Sequence, residues 1–71
     1  MISPKIAREK LGIFKTQLAR AANLDVKTIT KIEKGLAVRN ESCSRYYIGL
    51  QKLNPDIQWI FEKIKWPAKK N

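Results

Sequence analysis

Three lysines, Lys27, Lys31 and Lys34, stand at spacings of four and three within LARAANLDVKTITKIEKG, residues 18–35. Wound into a helix at roughly 100° per residue they fall in one stripe, with Ile29 and Ile32 on the opposite side. A row of ammonium groups can hold anionic oxygens, and a lysine can also donate to the acceptor atoms of a guanine edge. The chemistry on offer is therefore recognition of a polyanion rather than bond making. The competing reading is a plain solvated helix face. It is disfavoured because the stripe is uniformly basic, opposes an apolar seam, and belongs to a strongly basic chain.

That basicity is extreme: 15 Lys and Arg against 6 Asp and Glu over 71 residues give a net charge of +9. Such a balance calls for nucleic acid first and an acidic membrane surface second. Catalysis is poorly supported. There is no histidine, the commonest general base and metal ligand. The acids Glu9, Asp25, Glu33, Glu41, Asp56 and Glu62 are scattered without metal-ligand spacing. Cys43 stands alone, so it reads as a small buried hydrophobe rather than part of a disulfide or metal cluster. The expectation is a binding protein with no cofactor, metal or small-molecule ligand. No apolar run approaches the ~20 residues of a membrane span. The opening MISPKIAREKLG lacks the apolar core of a signal peptide, so a cytoplasmic setting without a membrane partner is expected.

To position the lysine stripe the chain needs helices, and its punctuation predicts five. Ser3-Pro4 offers a cap with proline at the first helical position, and Gly12 closes that helix. The second runs from about Lys15 to Ala22, and Asn23 takes the left-handed turn. Asp25 caps the third by accepting from the backbone of Lys27 or Thr28, and Gly35 ends it. Asn40 or Ser42 can cap a fourth, whose apolar side is Cys43, Tyr46, Tyr47, Leu50 and Leu53. Asn54-Pro55-Asp56 starts a fifth, which Pro67 stops. The expected organisation is one all-α domain over residues 1–66 and a loose basic tail over 67–71.

The second and third helices are joined only by Asn23-Leu24-Asp25-Val26, too short for them to drift apart. A small residue, Ala19, is placed where they cross, and Leu18, Ala22, Leu24, Ile29 and Ile32 supply the seam. Such a pair is the helix-turn-helix pattern. Here the sequence resembles the lambdoid-phage repressor and Cro type of regulator, the XRE family. The resemblance rests on Leu18-Ala19, the turn at Asn23-Leu24, the run Thr28 to Gly35, Arg8-Glu9-Lys10-Leu11-Gly12 upstream, and Ile57-Gln58-Trp59-Ile60 downstream. It covers roughly residues 4–61 and implies a five-helix lambda-repressor-like domain. Two positions depart from it. Phe14-Lys15 stands where the family has Ser or Thr followed by Gln, removing a cap and replacing a polar phosphate contact with a charge. Asn23 stands in place of the usual turn glycine.

The resemblance implies that the third helix enters the major groove of a double-stranded DNA operator. Carried over by position, Val26, Lys27, Thr30 and Lys31 are the base-reading candidates. Lys15, Thr28, Lys34, Arg39 and Asn40 would hold phosphates. Glu33 points toward the seam on the helical wheel and needs a partner there. The resemblance names Arg8, while a surface contact with a nearby lysine is the alternative. On the fifth helix Ile57, Ile60, Phe61 and Ile64 make one stripe, with Trp59 and Trp66 nearly opposite. That surplus predicts a homodimer through Trp59 and Trp66, suited to a symmetric operator, against the competing reading that Trp59 folds back onto the fourth helix and Trp66 merely caps the end of the fifth. The function expected is a transcription regulator of the Cro or repressor kind, of phage or prophage type. An antitoxin-like module that masks a partner protein is the alternative. An RNA-binding or membrane-surface peptide is disfavoured because the aromatics do not interleave with the basic stripe.

Overall fold

The computed structural model describes residues 1–68, so Lys69 to Asn71 of the expected tail lie outside the described residues. The fold is all-α: α1 (Pro4–Lys10), α2 (Lys15–Ala22), α3 (Val26–Glu33) and α4 (Asn40–Leu53), then a single 3-10 turn at Phe61–Lys63. Outside the helices, Ile2 and Ile64 pair as an isolated parallel bridge.

Local chemistry sets the first three helices. Ser3 accepts from the Ile6 amide at 3.2 Å, with Pro4 in the first turn of α1. Asp25 accepts from Lys27 at 3.0 Å to start α3. The N-terminus of α2 lacks a side-chain acceptor at Phe14, as its sequence implies. Gln17 compensates from the other side, its side-chain oxygen accepting from the Phe14 amide at 2.8 Å. At the C-terminus of α2, Asn23 is left-handed (φ 55°, ψ 47°). This lets Leu24 N–H reach back to the Ala19 carbonyl at 2.9 Å. The same six-residue lock ends α1 at Gly12 and α3 at Gly35, where Ile13 bonds Arg8 and Leu36 bonds Lys31.

The core is Ala7, Ile13, Leu18, Ala19, Ala22, Ile29, Ile32, Val38, Cys43, Tyr46, Leu50 and Ile64, all buried. The apolar side expected for α4 is partly realised. Cys43, Tyr46 and Leu50 are buried and Tyr47 is half-buried, but Leu53 is exposed. In its place Gly49 faces inward: α4 lies on α2 here, so that a Cβ on Gly49 would stand 2.8 Å from Ala22 Cβ and from Leu18 Cδ1. Neither Asn40 nor Ser42 caps α4. Arg39 holds the cap position without a side-chain bond, and an exposed Glu41–Arg45 pair at 2.6 Å spans the first turns.

Residues 54–66 do not form the expected fifth helix. The Asn54 side chain accepts from Asp56 at 3.2 Å and its carbonyl from Ile57 at 3.1 Å, so the turn begins, but it does not propagate. Two carbonyls that a helix would use are taken by side chains: Tyr47 Oη donates to Trp59 O at 2.7 Å, and Trp66 Nε1 to Phe61 O at 2.9 Å. Abandoning the helix also resolves the two-sided apolar pattern. Along the irregular path Ile64 is buried, while Ile57, Trp59, Phe61 and Trp66 all pack against the core. Trp66 stacks on Phe61 (centroids 4.9 Å apart) and meets Tyr46 edge-on at 5.5 Å. The two-faced helix from which the Trp59 and Trp66 dimer face was argued is absent, and both indoles are partly buried against the core of their own chain. At the start of the expected tail, Ala68 O accepts from Val38 N–H at 3.2 Å.

The close approach of α4 to α2 makes Gly49→Ala informative. Alanine raises helix propensity by roughly 1 kcal/mol over glycine in an exposed helix. Here the added methyl collides with packed side chains, so a net loss of about 1–3 kcal/mol is expected in urea unfolding. A stabilised variant would show that the two helices can part without cost.

Candidate functional site

The placement of α3 is fixed from inside by a buried polar network. Arg8 on α1 meets Glu33 on α3 with two hydrogen bonds, Nε to Oε2 at 2.7 Å and Nη2 to Oε1 at 3.1 Å. Side-chain exposure is 9% for Arg8 and 3% for Glu33, which makes this a buried pair and excludes the surface-lysine alternative. The third guanidinium nitrogen, Nη1, donates to Ile13 O at 2.8 Å. Tyr46 on α4 completes the arrangement: its hydroxyl lies 2.7 Å from Glu33 Oε2 and 3.0 Å from Pro4 O. With one proton to donate, the charged oxygen is the stronger acceptor. No buried side-chain nitrogen or oxygen among the described residues lacks a partner. Tyr46 was legible only as a core position, although a tyrosine in a buried stripe needs a partner for its hydroxyl.

The glutamate's hydrogen bonds hold the Arg8 guanidinium above its ordinary pKa. Burial, reinforced by the adjacent carboxylate, pushes the Tyr46 phenol well above its ordinary value. Burial likewise raises the Cys43 thiol, which keeps it protonated and unreactive.

With Glu33 turned inward and neutralised, the outer side of α3 carries no acidic residue from the helix itself. Ile29 and Ile32 are 0% and 1% exposed, whereas Val26, Lys27 and Lys31 face solvent, as does Lys34 at the helix end. Thr28 and Thr30 are half-buried at the margin of this face. Lys15, the first residue of α2, places its Nζ 3.3 Å from Thr30 Oγ1, so the start of α2 adjoins the middle of α3. Arg39 and Asn40 are exposed where α4 begins, after the short connection that follows Lys34. The structure thus joins Lys15 to Thr30 directly, while Lys34 stands at the end of α3 and Arg39 and Asn40 at the start of α4. One exposed feature lies beside this face without a role assigned from sequence: Phe14, 71% exposed immediately before Lys15. Among the described residues no group of three or more His, Cys, Asp or Glu is arranged to hold a metal ion. No described helix is long and apolar enough to cross a membrane.

Compared with known proteins, the chain matches no family model, and neither a curated protein nor a solved structure is significantly similar to it.

Two measurements test the network. Arg8→Ala or Glu33→Ala alone should cost about 3–5 kcal/mol, because the partner charge stays buried. In a double-mutant cycle the two losses should be strongly non-additive, and additive losses would mean that the pair carries no coupling. The second is alkaline sensitivity. The unfolded chain releases the Tyr46 proton near pH 10, whereas the folded chain retains it to higher pH. Tyr46 therefore contributes fully below about pH 10, and its contribution shrinks as pH rises beyond that point. Tyr46→Phe should show a shallower loss of unfolding free energy between about pH 9 and 11 than the parent. Equal slopes would remove Tyr46 as the source.

Proposed function

We propose that the protein is a sequence-specific double-stranded DNA-binding transcription regulator of the helix-turn-helix kind, similar in type to the phage repressors and Cro proteins. In this reading α2 and α3, joined by the tight turn at Asn23, form the DNA-binding pair, and α3 lies in the major groove. The observation that carries the reading is the two-sidedness of α3: apolar residues and a neutralised glutamate inward, Lys27, Lys31 and Lys34 outward.

The roles divide by position. Val26, Lys27 and Lys31 have the exposure to reach base edges, Lys27 and Lys31 as donors to guanine and Val26 through contact with a thymine methyl. Thr30, half-buried beside Lys15, can offer its methyl or hydroxyl at the groove floor while the ammonium stays near the backbone. Lys15, Thr28, Lys34, Arg39 and Asn40 hold phosphates and so fix register without reading sequence. Two copies would occupy a symmetric operator, with half-sites about one helical turn apart.

Duplex binding measured across a salt series tests the division of labour. Each phosphate neutralised steepens the log–log dependence by roughly 0.9 units. Lys34→Ala should weaken cognate and random duplexes alike and flatten that slope by about one such unit. Lys27→Ala or Lys31→Ala should instead cost about 1–3 kcal/mol on the cognate site and relax preference at one base pair per half-site. Duplexes selected from a random pool supply the cognate site. Absence of any salt-dependent duplex binding would overturn the reading.

A further inference from the structure

On the side of α1 away from α3 the structure holds an open groove of about 560 Å³ lined by Met1, Ile2, Ser3, Ile6, Lys10, Trp59 and Lys63. Its construction follows from α1: Arg8 faces the glutamate of α3, and Ile6, two residues earlier, projects nearly oppositely. Lys10 sits one turn beyond Ile6 on the same side. The opposite wall is residues 59–63, held by the hydrogen bonds of the Ile2–Ile64 bridge, Ile2 N to Lys63 O at 3.2 Å and Lys65 N to Ile2 O at 2.8 Å. Large apolar side chains stay open to solvent here, with Met1 86% and Ile6 42% exposed and Trp59 half-buried.

We propose that this groove docks an acidic peptide segment of a partner protein, one that inserts a large apolar side chain between Ile6 and Trp59 and places carboxylates beside Lys10 and Lys63. The charge pattern selects this occupant. Both charged side chains lining the groove belong to lysines, one on each wall, and no acidic residue lines it. A second copy of the chain brings the same +9 charge and the same lysine rim, which opposes self-docking. A concave site bounded on two sides suits one or two inserted side chains better than a flat lipid surface. Because α1 turns different residues to the groove and to α3, peptide and DNA could be bound together. The inference does not depend on the DNA-binding reading.

The test uses the full chain and a synthetic peptide in which leucine and phenylalanine alternate with glutamate, followed by calorimetry and tryptophan emission. Trp59 lines the groove and reports on it, whereas Trp66 is packed within the fold. The glutamate peptide should bind, and its counterparts with lysine for glutamate or serine for the apolar residues should not. Ile6→Ser should weaken binding severalfold, and Lys10→Glu with Lys63→Glu about tenfold, while Lys27→Glu with Lys31→Glu should leave it unchanged. All substituted side chains are exposed, so melting temperatures should stay near that of the parent. The proposal is overturned by equal binding of acidic and basic peptides, by loss of binding in the α3 variants alone, by preference for anionic vesicles, or by sedimentation showing that copies pair through Ile6 and Trp59.

Discussion

A carboxylate with 3% of its side chain exposed is tolerable only if its charge is matched, and most of this structure can be traced to how Glu33 is matched. The partner comes from α1, the additional donor from α4, and the guanidinium's spare nitrogen reaches the connection between α1 and α2. One charge thereby ties together every helix except α2, which is held instead by apolar packing and the close contact at Gly49. Such a pair adds little net stability compared with a well-packed apolar substitute, because desolvation offsets much of the attraction. Its contribution is orientation: the bidentate geometry sets which way α3 is rotated about its own axis. A helix positioned by hydrophobic contact alone could roll by several degrees with little penalty; one whose last residue is held at two oxygens has far less freedom.

That rotational setting matters because α3 is short. Eight residues are marginal as an isolated helix, so its existence depends on its ends and on the surface beneath it. The Asp25 cap and the Gly35 lock satisfy the ends, and Ile29 and Ile32 seal the underside. The side facing outward is then free of structural duty. This is why three lysines can stand close together there: their mutual repulsion is screened by solvent and resisted by contacts made elsewhere.

Much of this was legible in the chain itself, and the reasons differ by element. The boundaries of α1, α2 and α3 follow from Ser3, Asp25, Gly12, Asn23 and Gly35, residues whose side-chain or backbone chemistry acts within a few positions. Glu33 could be placed inward because a helix of known phase leaves no other direction for it. Residues 54–66 could not be read the same way. Asn54-Pro55-Asp56 does start a turn, but continuation was decided by Tyr47 and by the Trp66 indole, which reach carbonyls from distant or later positions. Gly49 marks a close contact: glycine inside a long helix costs stability, and its place there is explained by a neighbour that leaves no room for a Cβ. The lysine face was visible as a pattern, while the apolar groove was not, since it joins residues from the two ends of the described chain.

That joining has an entropic side. Contacts among the first three helices close loops of a few residues to a few tens, whereas the Ile2–Ile64 pairing closes nearly the whole described chain. Loop entropy makes such a clasp the costliest contact to close, and the burial of Ile64 and the packing of Phe61 and Trp66 offset that cost. Two backbone hydrogen bonds, from Ile2 N to Lys63 O and from Lys65 N to Ile2 O, hold the two ends there. The lysine face of α3 therefore rests on contacts closed over short spans of chain, whereas the two walls of the groove are joined by one that spans nearly all of it.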